Sequence, residues 1–432
     1  MKPDLQGTSG ARHSPTAYVV SHYPALSHTF IQREIVSLRA LGTPVDVYSI
    51  HRTVPDVMSS TDAAELASTF AVLPISPGKL LGTHARAFLR SPRAYVRTLR
   101  YAFDAAPRGA RALLWQFFYF VEAIVVWNRC RDRGVRHLHA HFANVGSDVA
   151  WLACQFGRFV DGDDAWQWSF TMHGCMEFWD VERFNLARKV RAADLVIAIS
   201  DFTRAQLMGF VEPGHWDKIE VVHCGVDLDR YPVAQREGHG NRPVEILCVG
   251  RLSPEKGQAL VLRAIADLRR DGRSVCLTLV GDGPLRSQLE DEARRLGIAE
   301  HVTFAGAVDQ DAIPAFYERA DVFCQPSFME GIPVVLMEAM ATGLPVVSSG
   351  VAGIPELVVE NRSGLLIPPG RPTLLAAALG RLVDSPESRR SFGETGRTIV
   401  EQEFDASECA VAVAGLFDRL AQGADRERSR RR

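Results

Sequence analysis

The 432-residue sequence has no excess charge of either sign: 49 Lys and Arg stand against 51 Asp and Glu, a net of −2. That balance gives no global pull toward nucleic acid or membrane, so any such attraction has to come from a local patch. No two cysteines form a C-x-x-C pair. The eight (Cys130, Cys154, Cys175, Cys224, Cys248, Cys276, Cys324 and Cys409) are scattered, most of them in apolar runs such as Ile246-Leu-Cys248-Val. This predicts buried free thiols in a reducing compartment. The most apolar stretch, Leu113 to Trp127, is short for a membrane span and contains Gln116 and Glu122. It reads as a buried helix. Residues 1–15 are polar and carry Gly, Ser and Pro with no apolar segment, which reads as a disordered tail and not as a secretory signal. The G-x-G-x-x-G pattern fails after Gly281-Asp-Gly283, because Arg286 takes the last position, so a dinucleotide site is disfavoured.

What is present is an ordinary globular composition, 47% hydrophobic and 23% charged, in a chain long enough for two cores. Both halves repeat one order: short apolar run, turn, helix-like stretch. That order predicts an α/β protein with parallel sheets covered by helices. Strands are expected at 17–20, 45–50, 137–142, 168–172 and 195–200, with a helix over 29–41. In the second half they are expected at 245–249, 275–280, 302–304, 322–325, 345–348 and 365–367. The polar, Gly- and Pro-punctuated run Pro232 to Pro243 is the seam. Domains are therefore expected over 16–234 and 242–400, followed by a helical stretch over about 405–421 and a solvated basic tail over 423–432.

The most informative residues are Glu330 and Glu338, with seven residues between them. Gln325-Pro-Ser327 precedes them and Ala339-Met-Ala-Thr-Gly343-Leu-Pro345 follows. Pro333 as first helical residue puts Glu330 in the loop at a strand end and Glu338 in the next helix. In open α/β sheets that end of the strand is where ligands bind. A carboxylate offers only acceptors, so Glu338 suits the vicinal diol of a ribose. Upstream, Gly250-Arg251-Leu-Ser-Pro-Glu-Lys256-Gly257 follows a strand and opens a helix. Arg251 and Lys256 there suit a diphosphate, aided by the helix dipole.

This pattern resembles the nucleotide-sugar signature of retaining glycosyltransferases of family 4. The resemblance implies a GT-B fold, two facing Rossmann-like domains with an interdomain cleft. The first domain would bind the acceptor and the second the nucleotide sugar, and the helix over about 405–421 would pack back on the first. It assigns Arg251 and Lys256 to the leaving nucleoside diphosphate and Glu330 to the sugar hydroxyls. The backbone N–H groups of Gly331 and Ile332 would meet phosphate or sugar. Asp282 in the Gly281–Pro284 turn lies beside the nucleotide, and Val308 reads the base edge. His173, at the end of its strand, reaches sugar or phosphate across the cleft. With Glu330, Arg251 and Lys256 it makes the catalytic set.

Many relatives carry a Gly-Gly loop after the first strand. Here Ser27, His28 and Thr29 open the helix instead, and Thr29 with Gln32 also fits a capping box. The form Tyr23-Pro-x-Leu-Ser-x-Thr-Phe30 is similar to the colanic-acid and exopolysaccharide branch, as is His137-Leu-His139-Ala-His141-Phe142. Ser27, His28, Thr29 and His141 are the candidates facing acceptor or cleft. The three alternating His share a strand face, yet no metal and no cofactor is expected. Asp161-Gly-Asp163 matches a manganese-binding string of another transferase fold and reads here as a loop.

One strongly charged segment runs from Lys79 to Arg111. It carries eight cations (Lys79 and Arg86, Arg90, Arg93, Arg97, Arg100, Arg108 and Arg111) against one acid, Asp104, a net of +7. Arg93, Arg97 and Arg100 fall on one helix face. This predicts peripheral docking on anionic lipid, at about 1 kcal/mol per cation near the surface, against the alternative of a solvated face.

The expected partners are a nucleoside diphosphate sugar and a glycan or polyprenyl-linked acceptor, with no nucleic acid. The expected reaction is hexosyl transfer with retention, in exopolysaccharide or related surface-glycan assembly. The expected location is the cytoplasm or the inner face of the plasma membrane. A non-catalytic nucleotide-sugar-binding subunit and a nucleotide-sugar epimerase of related fold are the alternatives.

Overall fold

The computed structural model of the chain describes residues 13–431 apart from 26–27, 55–57, 175 and 235–241. Ser27, Cys175 and residues 1–12 of the expected tail lie outside the described residues.

Two sheets form, and all their strand pairs are parallel. The first holds β1 (Thr16–Tyr23), β2 (Val45–Arg52), β3 (Phe70–Leu73), β4 (His137–His141), β5 (Gln167–Met172), β6 (Leu195–Ala198) and β7 (Ile219–Val221), in the order β3-β2-β1-β4-β5-β6-β7. The second holds β8 (Val244–Val249), β9 (Val275–Val280), β10 (Val302–Gly306), β11 (Val322–Gln325), β12 (Val346–Ser349) and β13 (Gly364–Ile367), in the order β10-β9-β8-β11-β12-β13. Most of these strands are buried on both faces and read as apolar runs, with the His-rich β4 and the part-exposed β10 as exceptions. β3 and β7 have no counterpart in the sequence reading, since edge strands of four and three residues are too short to show a period.

Each sheet reverses its strand order once, between β1 and β4 and between β8 and β11. Loops leaving the carboxyl ends of those strands part in opposite directions and open a crevice. The chain passes between the two domains twice. The passages lie side by side, joined by Val226 N donating to Phe404 O (2.8 Å) and Ala406 N donating to Val226 O (3.1 Å).

Beyond the second passage the helix Ala406–Arg431 packs on the first domain. Phe417 meets the rings of Tyr18, His137 and His139, and Gln167 Nε2 donates to Leu420 O (2.8 Å). The helix runs on through Arg431, ten residues past the end expected from sequence and through the segment read as a solvated tail. The helix Thr29–Ala40 lacks the expected capping box. Its N-cap is His28, which makes no side-chain cap, and Gln32 instead donates to Asp62 Oδ1 (3.0 Å).

The helix Ala110–Asp132 corrects a second expectation. Its second half is core, with Ile124, Val126, Trp127 and Cys130 fully buried. Its first half is not: Leu113, Leu114, Trp115, Phe117 and Phe118 are exposed. A helix apolar all round carries no periodicity to mark the face that packs. Among the described residues it alone is long and apolar enough to cross a membrane.

Glu122 lies in the buried half with Oε2 lacking a hydrogen-bond partner, and burial pushes its carboxyl up to about 7. A carboxyl raised in the fold destabilises as pH rises from its unfolded value, near 4.5, through 7. Glu122→Gln should therefore add about 2–3 kcal/mol at pH 8 and little at pH 4. Urea melts at the two pH values check this, and equal gains at both would refute it.

Candidate active site

The crevice of the second sheet lies between β8 and β11, and the loops after those two strands build it. The loop after β8 is tied to the one after β9 by Leu252 N donating to Asp282 O (3.0 Å) and Leu285 N donating to Leu252 O (3.1 Å). Two glycines allow the approach. A Cβ on Gly281 (φ +130) would lie 2.1 Å from Gly250 O, and one on Gly257 (φ +71) would lie 2.3 Å from Pro326 O.

This packing brings Lys256 and Glu330 together. Lys256 Nζ donates to Glu330 Oε1 at 2.7 Å, and Ser327 Oγ donates to the same oxygen at 2.7 Å. The Glu330 side chain is 9% exposed and that of Lys256 24%, so the pair sits at the crevice floor with the cation still reachable. Arg251, from the same loop, is exposed. Its carbonyl accepts from Gln258 Nε2 (2.8 Å), which holds the loop against the start of the helix Gln258–Arg270.

Pro333 is the N-cap of the helix Val334–Ala341, one position before the expected place. Glu338 in that helix is buried and both its oxygens are engaged. Tyr317 OH donates to Oε2 (2.9 Å), and Oε1 pairs with Arg33 from the first domain. Asp282 accepts from Gly283 N (2.6 Å) and pairs with Arg286 Nη1 (3.2 Å). Val308 is half-buried beyond β10.

Opposite stands the end of β5. His173 is buried with its ring turned into the first domain, not toward the cleft. Its Nε2 lies 2.7 Å from His141 Nδ1 and its Nδ1 3.3 Å from Cys224 Sγ, while Phe30 and Phe142 pack on the ring. His141 is fully buried, its Nε2 3.3 Å from Glu34 Oε1, which accepts from Tyr18 OH (2.6 Å). Each of two links, His141 Nδ1–His173 Nε2 and His173 Nδ1–Cys224 Sγ, holds one proton, while His141 Nε2 near Glu34 makes no hydrogen bond. Burial pushes His173 and His139 well below the ordinary histidine value, and His137 down to about 3. These rings are therefore neutral. The expectation that the side chains of His173 and His141 face the cleft fails, because both His173 nitrogens and His141 Nδ1 are taken up internally and the His141 ring is fully buried. The part of His173 that meets the second domain is its carbonyl oxygen: a Cβ on Gly331 would lie 2.2 Å from it.

His28 and Thr29 are half-buried at the start of their helix, with His28 Nδ1 3.2 Å from His22 O. Glu34, His139 and His141 offer atoms within 4.8 Å of one another. The two His139 nitrogens already lie 2.7 Å from Ser169 Oγ and 3.0 Å from Thr171 Oγ1. Asp161 is committed elsewhere, accepting from Trp166 Nε1 (2.8 Å) and Arg136 Nη1 (3.0 Å).

The two domains close on each other around the crevice. Glu356 accepts from Asp201 N and Phe202 N, both at 2.8 Å, and so caps the helix Asp201–Gly209 across the gap. Gln310 Nε2 donates to Gln32 Oε1 (2.9 Å). Arg33, Tyr317, Gln310 and Glu356 are absent from the sequence reading. Arg33, Gln310 and Glu356 act across domains, hundreds of residues apart in the case of Arg33 and Glu338, while Tyr317 meets Glu338 from within the second domain, and no local motif marks them. A cavity of about 810 Å³ lies away from this crevice, beside the helix Pro92–Ala105. The strand ends, and not that cavity, locate the candidate site.

Known proteins share this fold. Residues 29–230 match the model of Glycosyltransferase Family 4, and residues 232–399 that of Glycosyl transferases group 1. The GDP-mannose-dependent alpha-(1-6)-phosphatidylinositol monomannoside mannosyltransferase of Mycobacterium tuberculosis is 32% identical over 265 residues, 57% of this chain and 68% of that protein. The protein of the same name from Mycolicibacterium smegmatis is 33% identical over 52% of this chain, and the match spans 63% of that relative's length. The amylovoran biosynthesis glycosyltransferase AmsK of Erwinia amylovora is 35% identical over 53% of this chain and 57% of its own. Among solved structures, HepE of Anabaena with UDP-glucose superposes with a TM-score of 0.70 at 19% identity, covering 94% of this chain and 100% of that one. Sucrose-phosphate synthase of Thermosynechococcus elongatus gives 0.69 at 23%, covering 95% and 100%. With two parallel Rossmann-like sheets facing across a crevice and both halves matched, the chain belongs to glycosyltransferase family 4 and has the GT-B fold.

Proposed function

We propose that this chain transfers a sugar, with retention, from a nucleoside diphosphate sugar to a hydroxyl of a glycan or lipid-linked saccharide, in exopolysaccharide or related surface-glycan assembly. The observation that carries the reading is the Lys256–Glu330 pair at the β8/β11 crevice, with Arg251 exposed beside it. The printed names of the relatives, a GDP-mannose-dependent mannosyltransferase and an amylovoran biosynthesis enzyme, fit that class. Its place is the cytoplasm, with contact at the inner face of the plasma membrane through the Arg86–Arg111 region.

In this mechanism the bond between the anomeric carbon and the diphosphate oxygen breaks first. Lys256 and Arg251 hold the charge that builds on the leaving group, and the N–H groups of Gly331 and Ile332 add dipoles. The acceptor oxygen bonds to the same face of the anomeric carbon, and its proton passes to the departing diphosphate oxygen. Glu330 orients the sugar hydroxyls and fixes the Lys256 ammonium. A ribose diol takes the place of Arg33 at Glu338, so donor binding trades an interdomain ion pair for hydrogen bonds. Asp282 and Val308 border the nucleotide, and His28 and Thr29 border the acceptor. The carbonyl of His173, with its ring fixed from behind, lines the reacting centre. Closure of the two domains excludes water. No resident metal enters the scheme.

The test is a thermal-shift screen over UDP- and GDP-sugars, then assays on polyprenyl-linked acceptors with the product anomer read by NMR. A stabilising donor and a product of retained configuration are expected. An altered donor sugar with no acceptor product would favour the epimerase, and binding with no turnover would favour the non-catalytic subunit.

A further inference from the structure

Ten of the nineteen exposed large apolar side chains among the described residues fall between Leu81 and Phe118. They lie on three packed helices: Pro77–Arg90, Pro92–Ala105 and the first half of Ala110–Asp132. An apolar surface so concentrated marks a place where something binds. The same segment carries the eight cations, and every one of them is exposed.

We infer that this face is a membrane-insertion surface with two parts. The turns Leu113–Phe118 form an apolar wedge that enters the acyl boundary of a bilayer, and the arginines beside it hold anionic headgroups. Leu113 with Phe117, and Leu114 with Phe118, stack one turn apart, with Trp115 stacked on Tyr119 at 6.1 Å. An indole and two phenyl rings at the water boundary suit the interface, where an amphipathic ring sits at headgroup level. Headgroup binding falls to the cavity of about 810 Å³, lined by Arg93, Arg97 and Arg100 together with Asp104 and Asp163. Arg97 lies 4.0 Å over the Phe159 ring there, which leaves its guanidinium edge for a phosphate.

The helix does not span the bilayer. Ile124, Val126, Trp127 and Cys130 belong to the core of the first domain, and Gln116 and Glu122 are buried within it. Crossing a membrane would strip these contacts. A second copy of this chain is the poorer occupant, because a two-fold contact would set eight cations against eight of the same sign. An anionic bilayer meets both the apolar wedge and the charge.

The test uses the full chain and flotation with two kinds of vesicle, phosphatidylcholine alone and a mixture with phosphatidylglycerol. Binding to the anionic vesicles is expected. Part of it should persist at 0.5 M salt through the apolar wedge, and brominated acyl chains should quench total tryptophan fluorescence in the wild type more than in Trp115→Phe. The Arg93→Ala/Arg97→Ala/Arg100→Ala variant should lose on the order of 100-fold in partitioning at low salt. The Leu114→Ser/Phe118→Ser variant should lose the salt-resistant part and the quenching. All substituted groups are exposed, so unfolding temperatures should stay near wild type, and donor-dependent stabilisation should be intact in each. The inference is overturned if the wild type stays unbound, if neither variant changes binding, or if sedimentation without vesicles shows a dimer abolished by Leu114→Ser/Phe118→Ser. None of these outcomes depends on transferase activity, so failure here leaves the catalytic reading standing.

Discussion

Lys256→Ala should lower sugar transfer by on the order of 10²–10³-fold, with most of the loss in kcat. The ammonium lies 2.7 Å from Glu330 at the carboxyl ends of β8 and β11, where the diphosphate charge would build. A cation placed there stabilises the leaving group more in the transition state than in the bound donor. The variant has a second effect. Glu330, 9% exposed, keeps Ser327 as donor but loses its counter-charge. A carboxylate left so would repel the diphosphate, and donor binding would weaken as well. Glu330→Gln separates the two effects. It frees Lys256 and removes the repulsion, so the Lys256→Ala/Glu330→Gln protein should bind donor better than Lys256→Ala while remaining slow. Initial rates and donor-dependent thermal shifts on the three variants check this. Wild-type rates in Lys256→Ala would remove the residue from the reaction.

Much of this site is local in sequence. The loop Gly250–Gly257 and the segment from Gln325 to Glu338 each follow a strand directly, and Lys256 and Glu330 project from adjacent strand ends because β8 and β11 are neighbours. Residue types and spacing were enough to place them. Side-chain direction was not legible. The position of His173 at the end of β5 agrees with the sequence, but the ring turns inward because His141 and Cys224 satisfy its nitrogens. Nothing in the run Thr171-Met-His173-Gly174 specifies those partners, which lie 32 and 51 residues away. The partner of Glu338 was no more legible. That partner, Arg33, comes from the other domain, and only closure brings the two together. The helix Ala110–Asp132 shows the converse limit. With apolar residues on every side, its pattern could not say that Trp127 packs while Trp115 faces solvent.

Closure itself rests on a missing side chain. Gly331→Ala should reduce kcat by about 10²-fold while leaving the stability of each domain intact. The added Cβ would lie 2.2 Å from the His173 carbonyl oxygen and 2.9 Å from Ile199 Cδ1, both in the first domain. No backbone strain arises at residue 331, because its φ lies outside the left-handed region. The clash is therefore relieved by parting the domains by about 1 Å, not by unfolding either. Parting them separates the carbonyl of His173 from the crevice that holds Lys256 and Glu330, and reactants held 1 Å too far apart lose the benefit of orientation. Water would also enter, so donor hydrolysis should rise relative to transfer. Three measurements distinguish this from simple damage. Donor-dependent thermal shifts should persist, since Arg251, Lys256 and the backbone N–H of residue 331 all remain. Small-angle scattering should show a larger radius of gyration than the wild type under saturating donor. The ratio of hydrolysis to transfer should increase. A Gly331→Ala protein with wild-type rates would show that the approach of Gly331 to His173 has no part in catalysis.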